Sequence, residues 1–190
     1  MRKGLITQKD ILNVNFGSLL MPLRKKKVSL RHSERFHKKK NHIMPWIMQT
    51  IGPDEIVYGS YAVNKQLPNW LDVPANDIDV FSYTPKKDAE QAERHLDSKF
   101  GGDYFYVKRA RHPSTWRVVA HANGKAYVDF TRPENCVPHR TIDGKNYITL
   151  PYAKQHIEET LQDPFAWYRH DRDRDTLHRI ILHQKRRGYR

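Results

Sequence analysis

Three aspartates in two short segments are the residues of this chain best suited to chemistry. Asp77 and Asp79 lie in NDIDVF, and Asp129 lies in AYVDFT. Residues two apart in an extended strand project to the same face, so Asp77 and Asp79 are predicted to lie side by side. Ile78 and Val80 then point to the opposite, buried face. If the two segments are neighbouring strands, three carboxylates converge, which is unfavourable unless divalent cations neutralise them.

The ligand types favour Mg²⁺ or Mn²⁺ over zinc, because carboxylate oxygens suit these harder cations. The eleven histidines form no convincing ligand pair, and the single cysteine, Cys136, supplies neither a zinc site nor an internal disulfide. An Asp-X-Asp pair alone is also common at the surface ends of strands. The predicted metal site therefore depends on what accompanies the pair.

A glycine–serine pair lies upstream of the aspartates. The segment IVYGSYAVNKQL is β-rich before Gly59-Ser60 and compatible with a helix after it. A glycine at such a turn lets the backbone approach a phosphate, and the free N–H groups at a helix start attract anions. The Ser60 hydroxyl adds a further contact. This pattern predicts a phosphate-binding turn.

The helix and strand patterns around these residues predict an α+β domain with a small mixed β-sheet and helices at both ends. Helical spacing covers residues 33–50 (with a kink or restart at Pro45), 88–100, 152–162 and 164–185. Strand patterns cover residues 55–58, 77–81, 104–107, 115–121, 126–130, 140–142 and 146–150. Asn123-Gly124 and Asp143-Gly144 are typical hairpin turns.

Positive charge is concentrated near the N-terminus. The 190 residues carry a formal charge of +13, and residues 24–40 hold nine Lys or Arg against the single acid Glu34. This predicts contact with a polyanion, most simply nucleic acid, although a solvated arm or a localisation signal has the same composition. The predicted contacts are Arg24, Lys25, Lys26, Lys27, Lys38, Lys39, Lys40, Lys185, Arg186 and Arg187.

Composition also excludes several classes of protein. No segment approaches the roughly 20 apolar residues of a membrane span, and the N-terminus lacks the apolar core of a secretory signal. A disulfide-stapled secreted domain needs more than one cysteine. We therefore expect an intracellular protein of a reducing compartment (cytoplasm, nucleus or a virion) with no membrane partner.

The ordered set VYGSYA, NDIDVF and YVDF resembles the nucleotidyltransferase superfamily of the DNA polymerase β type. This superfamily includes poly(A) polymerases, CCA-adding enzymes and minimal nucleotidyltransferases. The resemblance covers residues 50–133. The segment from Asp143 onward is similar, more loosely, to the region that follows the catalytic domain in poly(A)-polymerase-like proteins of large DNA viruses.

The resemblance implies a role for each residue. Asp77 and Asp79 would ligate two Mg²⁺ (or Mn²⁺) ions, and Asp129 would share the first ion and help to deprotonate the acceptor hydroxyl. Gly59 and Ser60 would hold the β- and γ-phosphates of a nucleoside triphosphate. Arg132, just beyond Asp129, is a further candidate for triphosphate contact, on its position alone.

The predicted organisation is a basic N-terminal arm (residues 1–32), a nucleotidyltransferase-like domain (33–150) and a C-terminal helical segment with a basic tail (151–190). Two departures from the family stand out: a long segment separates Ser60 from Asp77, and few residues follow Asp129.

Two functions stay open. The first is Mg²⁺-dependent transfer of a nucleoside monophosphate from a triphosphate to a polynucleotide (RNA rather than DNA) or another acceptor, with or without a protein partner. The second is an inactive protein of the same fold that binds nucleic acid or is a structural, virion component.

Overall fold

The computed structural model describes residues 30–112 and 114–188, which form six α-helices and seven strands. The helices are α1 (Leu30–Lys39), α2 (Ile43–Thr50), α3 (Gly59–Asn64), α4 (Pro85–Phe100), α5 (Leu150–Gln162) and α6 (His170–Gly188). The strands are β1 (Ile56–Tyr58), β2 (Ile78–Phe81), β3 (Phe105–Arg109), β4 (Thr115–Ala120), β5 (Ala126–Thr131), β6 (His139–Ile142) and β7 (Lys145–Ile148). Three 3₁₀ segments span Lys40–His42, Asn69–Leu71 and Pro164–Arg169.

All seven strands belong to one mixed sheet, in the order β3-β4-β5-β2-β1-β7-β6. Strand β2 pairs in parallel with β5, and β1 pairs in parallel with β7, whereas the other neighbours are antiparallel. This mixed sheet with flanking helices confirms the predicted α+β class. None of the described helices is both long enough and apolar enough to cross a membrane.

One face of the sheet is the core. Ile78 and Val80 are fully buried, as the alternation in NDIDVF predicts. They join side chains of the neighbouring strands and of the helices α1, α2 and α4 in one apolar cluster. The predicted helical face of α4 (Ala89, Ala92, Leu96 and Phe100) is also fully buried. The aspartates project from the opposite face of the central strands.

The predicted helix over residues 33–50 is two helices, α1 and α2, joined by a 3₁₀ turn. The restart falls at Ile43, so Pro45 lies in the first turn of α2. Proline is tolerated there because the first N–H groups of a helix have no partner within it. Ile43 and Ile47 remain on the buried face.

The long segment between α3 and β2 is packed against the C-terminal helix. Leu67 and Leu71 belong to the core. The buried Arg179 of α6 donates to the side chain of Asn64 at 2.8 Å and to the carbonyl oxygen of Leu71 at 3.1 Å. The exposed ring of Trp70 lies 4.3 Å from the guanidinium of Arg186. This segment is therefore an integral part of the domain.

Replacing Arg179 should test this packing. Arg179→Ala leaves Asn64 and the Leu71 carbonyl without their charged donor, and we expect the free energy of unfolding to fall by about 2–4 kcal/mol. Arg174→Ala, on the same helix, removes an exposed pair with Asp171 and should change it by less than about 1 kcal/mol. Urea unfolding of the two variants measures the difference, and equal effects would contradict a bracing role for Arg179.

Candidate active site

A row of polar side chains crosses the sheet on the face opposite the core. Strand pairing places Asp79 of β2 opposite Tyr58 of β1 and Asp129 of β5, and it places Asp129 opposite Arg117 of β4. Residues opposite each other in register project to the same face. The convergence of β2 and β5 on which the predicted metal site depends is thus present, because these strands are direct neighbours.

The three aspartates influence one another electrostatically. Burial raises the pKa of Asp79 to about 7, and the negative charges of Asp77 and Asp129 contribute to that increase. The positive charges of Arg169 and Arg172 act in the opposite direction. Two neighbouring carboxylates that raise the pKa of a third make the cluster a place where added positive charge is strongly favoured.

Arg117 supplies one positive charge to this cluster. Its guanidinium lies 2.6 Å from Oδ2 of Asp129, while Oδ1 of Asp129 is buried without a hydrogen-bond partner. Burial raises the pKa of Asp129 and Arg117 opposes that increase, with Asp77 adding a smaller upward contribution. In the described ranges, no three His, Cys, Asp or Glu side chains are arranged to hold a metal ion together. Arg117 was not among the residues predicted from the sequence.

Gly59 brings the start of α3 against Asp79. Its φ of +69° lies in the left-handed region, and a Cβ atom built on it would overlap with Oδ2 of Asp79. Ser60 follows in the first turn of α3. The predicted glycine–serine turn is therefore next to the predicted carboxylate pair, and only a glycine leaves room between them.

Arg132 lies at the other end of the strands. Arg132 directly follows Thr131, which pairs with Phe81 at the end of β2. Gly59 is instead adjacent to the start of β2. The backbone N–H of Arg132 donates to the Ser114 carbonyl at 3.1 Å, and its side chain is exposed. The structure does not bring Arg132 together with Gly59 and Ser60, and its triphosphate contact stays a prediction.

The predicted nucleic-acid contacts are spread over the chain. Arg24, Lys25, Lys26 and Lys27, and the side chain of Arg187, lie outside the described residues. Lys38, Lys40 and Lys185 are exposed. Lys39 donates to the Lys99 carbonyl at 2.6 Å, and Arg186 lies over Trp70. Two of the described cations thus already have contacts within the domain.

Two further arginines, in the alternating run RHDRDRD, influence the aspartates electrostatically. Arg169 donates to Asp173 at 2.8 Å, and the charges of Arg169 and Arg172 lower the pKa of Asp79. The sequence predicts that this run forms a solvated, self-paired helix face, and the pairs Arg169–Asp173 and Arg174–Asp171 are observed. Asp173, however, is buried. This buried acid fixes Arg169 beside the cluster.

Tyr58 forms a wall of the site. Its ring stacks on Phe81 at 4.0 Å between centroids, and its hydroxyl lies 3.0 Å from the Thr131 hydroxyl. Burial and the charge of Asp79 raise its pKa, so the phenol stays protonated. Tyr58 is therefore suited to excluding water and not to accepting a proton.

The pKa of Asp79 predicts how stability depends on pH without metal. The folded state holds this proton up to about pH 7, whereas the unfolded carboxyl releases it near its ordinary pKa of 3.8. Stability therefore falls as pH rises from about 4 through 7, and the raised pKa corresponds to a loss of a few kcal/mol. Urea unfolding in EDTA at pH 5–8 should show this fall in the wild type. Asp79→Asn should show a smaller fall, because Asp129 keeps a raised pKa, and parallel profiles would contradict the assignment.

Comparison with known proteins identifies the fold. Neither a protein-family profile nor a curated protein matches the sequence. The structure is similar to the crystal structure of the Megavirus polyadenylate synthase, with a TM-score of 0.66 and 20% sequence identity over 97% of this chain. The chain spans 39% of the length of that protein. Together with the seven-stranded mixed sheet and its flanking helices, this similarity shows a nucleotidyltransferase-like fold.

Proposed function

We propose that this protein is a Mg²⁺-dependent nucleotidyltransferase that transfers a nucleoside monophosphate from a nucleoside triphosphate to a polynucleotide, RNA in preference to DNA. The observation that carries the proposal is the placement of Asp79 between Asp129 and the Gly59 turn. The helix start that is proposed to bind phosphate adjoins the carboxylate cluster, which is an arrangement suited to phosphoryl transfer.

The chemistry of the carboxylate donors suits a divalent cation, although in the described ranges these side chains are not arranged to hold one together. The donors are all carboxylate oxygens, Oδ1 of Asp129 is buried without a partner, and Asp79 is destabilised by its acidic neighbours. Asp77, Asp79 and Asp129 would hold two Mg²⁺ or Mn²⁺ ions. When bound, such ions stabilise the attacking and leaving oxygens of an in-line displacement.

The protein's own groups position the substrates. Free N–H groups at the start of α3 and the Ser60 hydroxyl bind the β- and γ-phosphates, and Gly59 keeps that turn against Asp79. Arg169 and Arg172 supply positive charge to the cluster in addition to that of Arg117, and this charge offsets the negative charge of a triphosphate. Tyr58 and Phe81 limit the access of water.

One observation favours a second function. Arg117 already neutralises Asp129, and the charges of Arg169 and Arg172 act on Asp79. These arginines therefore supply part of the positive charge that metal ions would otherwise supply. An inactive nucleotidyltransferase-fold protein that binds nucleic acid or builds a virion would have this property. It would keep its stability in EDTA and would not respond to Mg²⁺.

An incorporation assay decides between the two functions. Purified protein is incubated with each labelled nucleoside triphosphate, single-stranded RNA or DNA, and Mg²⁺, Mn²⁺ or EDTA. Active transfer appears as metal-dependent extension of the strand. No extension under any condition, combined with unfolding curves that Mg²⁺ does not shift, would support the inactive protein.

A further inference from the structure

Three large aromatic side chains stand in solvent on one short segment. Phe165, Trp167 and Tyr168 of the 3₁₀ segment Pro164–Arg169 are 86%, 74% and 74% exposed. A single exposed aromatic side chain is ordinary, but three within four residues form an apolar patch of the kind that marks a binding surface. The sequence predicts one continuous helix over residues 164–185, and the structure corrects that prediction, because α6 begins only at His170.

The segment is held firmly beneath its exposed rings. Asp163 accepts a hydrogen bond from the backbone N–H of Phe165 at 2.9 Å, and Ala166 is buried. Nε2 of His170 donates to the carbonyl oxygens of Thr160 and Asp163 at 3.2 and 3.1 Å. The aromatic side chains are thus presented by a fixed backbone, which lowers the entropic cost of binding.

The 3₁₀ geometry sets the arrangement of the rings. Residues i and i+3 of a 3₁₀ helix eclipse each other, so Phe165 and Tyr168 lie on one face, and Trp167 lies on an adjacent one. A pair of aromatic side chains on one face with a third beside it offers stacking surfaces for planar ligands.

The neighbouring charges indicate the partner. Tyr168 is followed directly by Arg169, whose guanidinium is paired with the buried Asp173 and whose charge lowers the pKa of Asp79. Arg172 lies on the first turn of α6, is exposed, and also acts on Asp79. Stacking surfaces beside positive charge are how proteins bind single-stranded nucleic acids without regard to sequence. The formal charge of +13 agrees with a polyanionic ligand.

We infer that Phe165, Trp167 and Tyr168 form a stacking platform for the bases of a single-stranded polynucleotide. The inference rests on the proposed function, because Arg169, the last residue of this segment, acts electrostatically on Asp79, and the platform would lead the acceptor strand toward the carboxylate cluster. It adds a base-contacting surface that the basic segments do not provide.

Binding of fluorescein-labelled 12-residue oligoadenylate tests the platform by anisotropy, in EDTA and without nucleoside triphosphate. Phe165→Ala/Tyr168→Ala should bind about 5- to 100-fold more weakly than the wild type, and Trp167→Ala should also bind more weakly. Trp167→Phe should retain most of the affinity. Tyr83→Ala is the matched control and should bind like the wild type. Tyr83 is 61% exposed and follows the end of β2, whereas Asp77 precedes its start.

An abasic 12-residue strand separates stacking from phosphate contact. The wild type and the double variant should bind this strand equally. The affinity of both should depend on salt concentration in the same way, since no phosphate contact is removed. Unchanged affinity of the double variant for oligoadenylate, or an equal loss on the abasic strand, would overturn the inference. So would a dimer, seen by light scattering, that dissociates in the double variant while oligonucleotide binding is unchanged.

The binding assay tests the stacking platform and the incorporation assay tests the transfer activity, so each proposal can be contradicted without the other. A protein that shows base-dependent binding in EDTA but never extends a strand contradicts the proposed transfer activity alone. A protein that extends strands equally well with and without Phe165 and Tyr168 contradicts the stacking platform alone.

Discussion

Asp77→Ala/Asp79→Ala should abolish metal-dependent nucleotide incorporation while leaving the protein folded. Removal of groups that only orient metal ligands commonly costs 10- to 100-fold, so loss of two proposed ligands should lower the rate by more than about 100-fold. The stability of the double variant, in contrast, should not fall and should increase near pH 8. The charges of Asp77 and Asp129 raise the pKa of Asp79, so the double variant relieves repulsion near pH 8.

The opposite directions of these two effects make the experiment decisive. An inactive variant that unfolds at the same or a higher urea concentration has lost chemistry and not structure. Asp54→Ala/Asp72→Ala is the charge-matched control, since both carboxylates are exposed and neither is among the main charges that shift the pKa of Asp79. It should retain wild-type incorporation. Equal activity of the two double variants would remove Asp77 and Asp79 from the proposed site.

The elements of the fold were largely predictable because their signals are local. Alternation in NDIDVF identified β2 and its buried face, and the spacing of Ala89, Ala92, Leu96 and Phe100 identified the packed face of α4. The Asp143-Gly144 turn links β6 and β7, with φ values of 51° and 72°. Such features depend on a few neighbouring residues, which is why composition and spacing suffice for them.

The partners of the aspartates could not be found in this way, because they depend on pairing between distant strands. Strands β3 and β4 lie between β2 and β5 in sequence, and only the resemblance to a family suggested that Asp79 and Asp129 meet. If the register of Val119 opposite Ala126, next to the hairpin turn, continued unchanged, Arg117 would lie opposite Val128. A bulge at Val118 and Val119 shifts the register by one residue and brings Arg117 opposite Asp129.

Gly59→Ala should inactivate the protein and destabilise it through two separate effects. Its φ of +69° costs a residue with a Cβ atom about 1–2 kcal/mol, and the new atom would also overlap with the Asp79 carboxylate. The overlap must displace either the start of α3 or Asp79. A misplacement of about 1 Å can cost on the order of 100-fold in rate, so we expect a loss of incorporation of at least about 10-fold.

Gly124→Ala separates the two effects, because Gly124 has a φ of +68° and no atom lies within 4 Å of the position that a Cβ atom would take there. It carries the same backbone strain without the overlap. A loss of about 1–2 kcal/mol corresponds to about 2–8 °C in Tm for a domain of this size, and Gly124→Ala should show that decrease with normal incorporation. Gly59→Ala should show a larger decrease in Tm together with the loss of activity. If both variants lose the same stability and both stay active, α3 and Asp79 are not in the contact on which the proposed site depends.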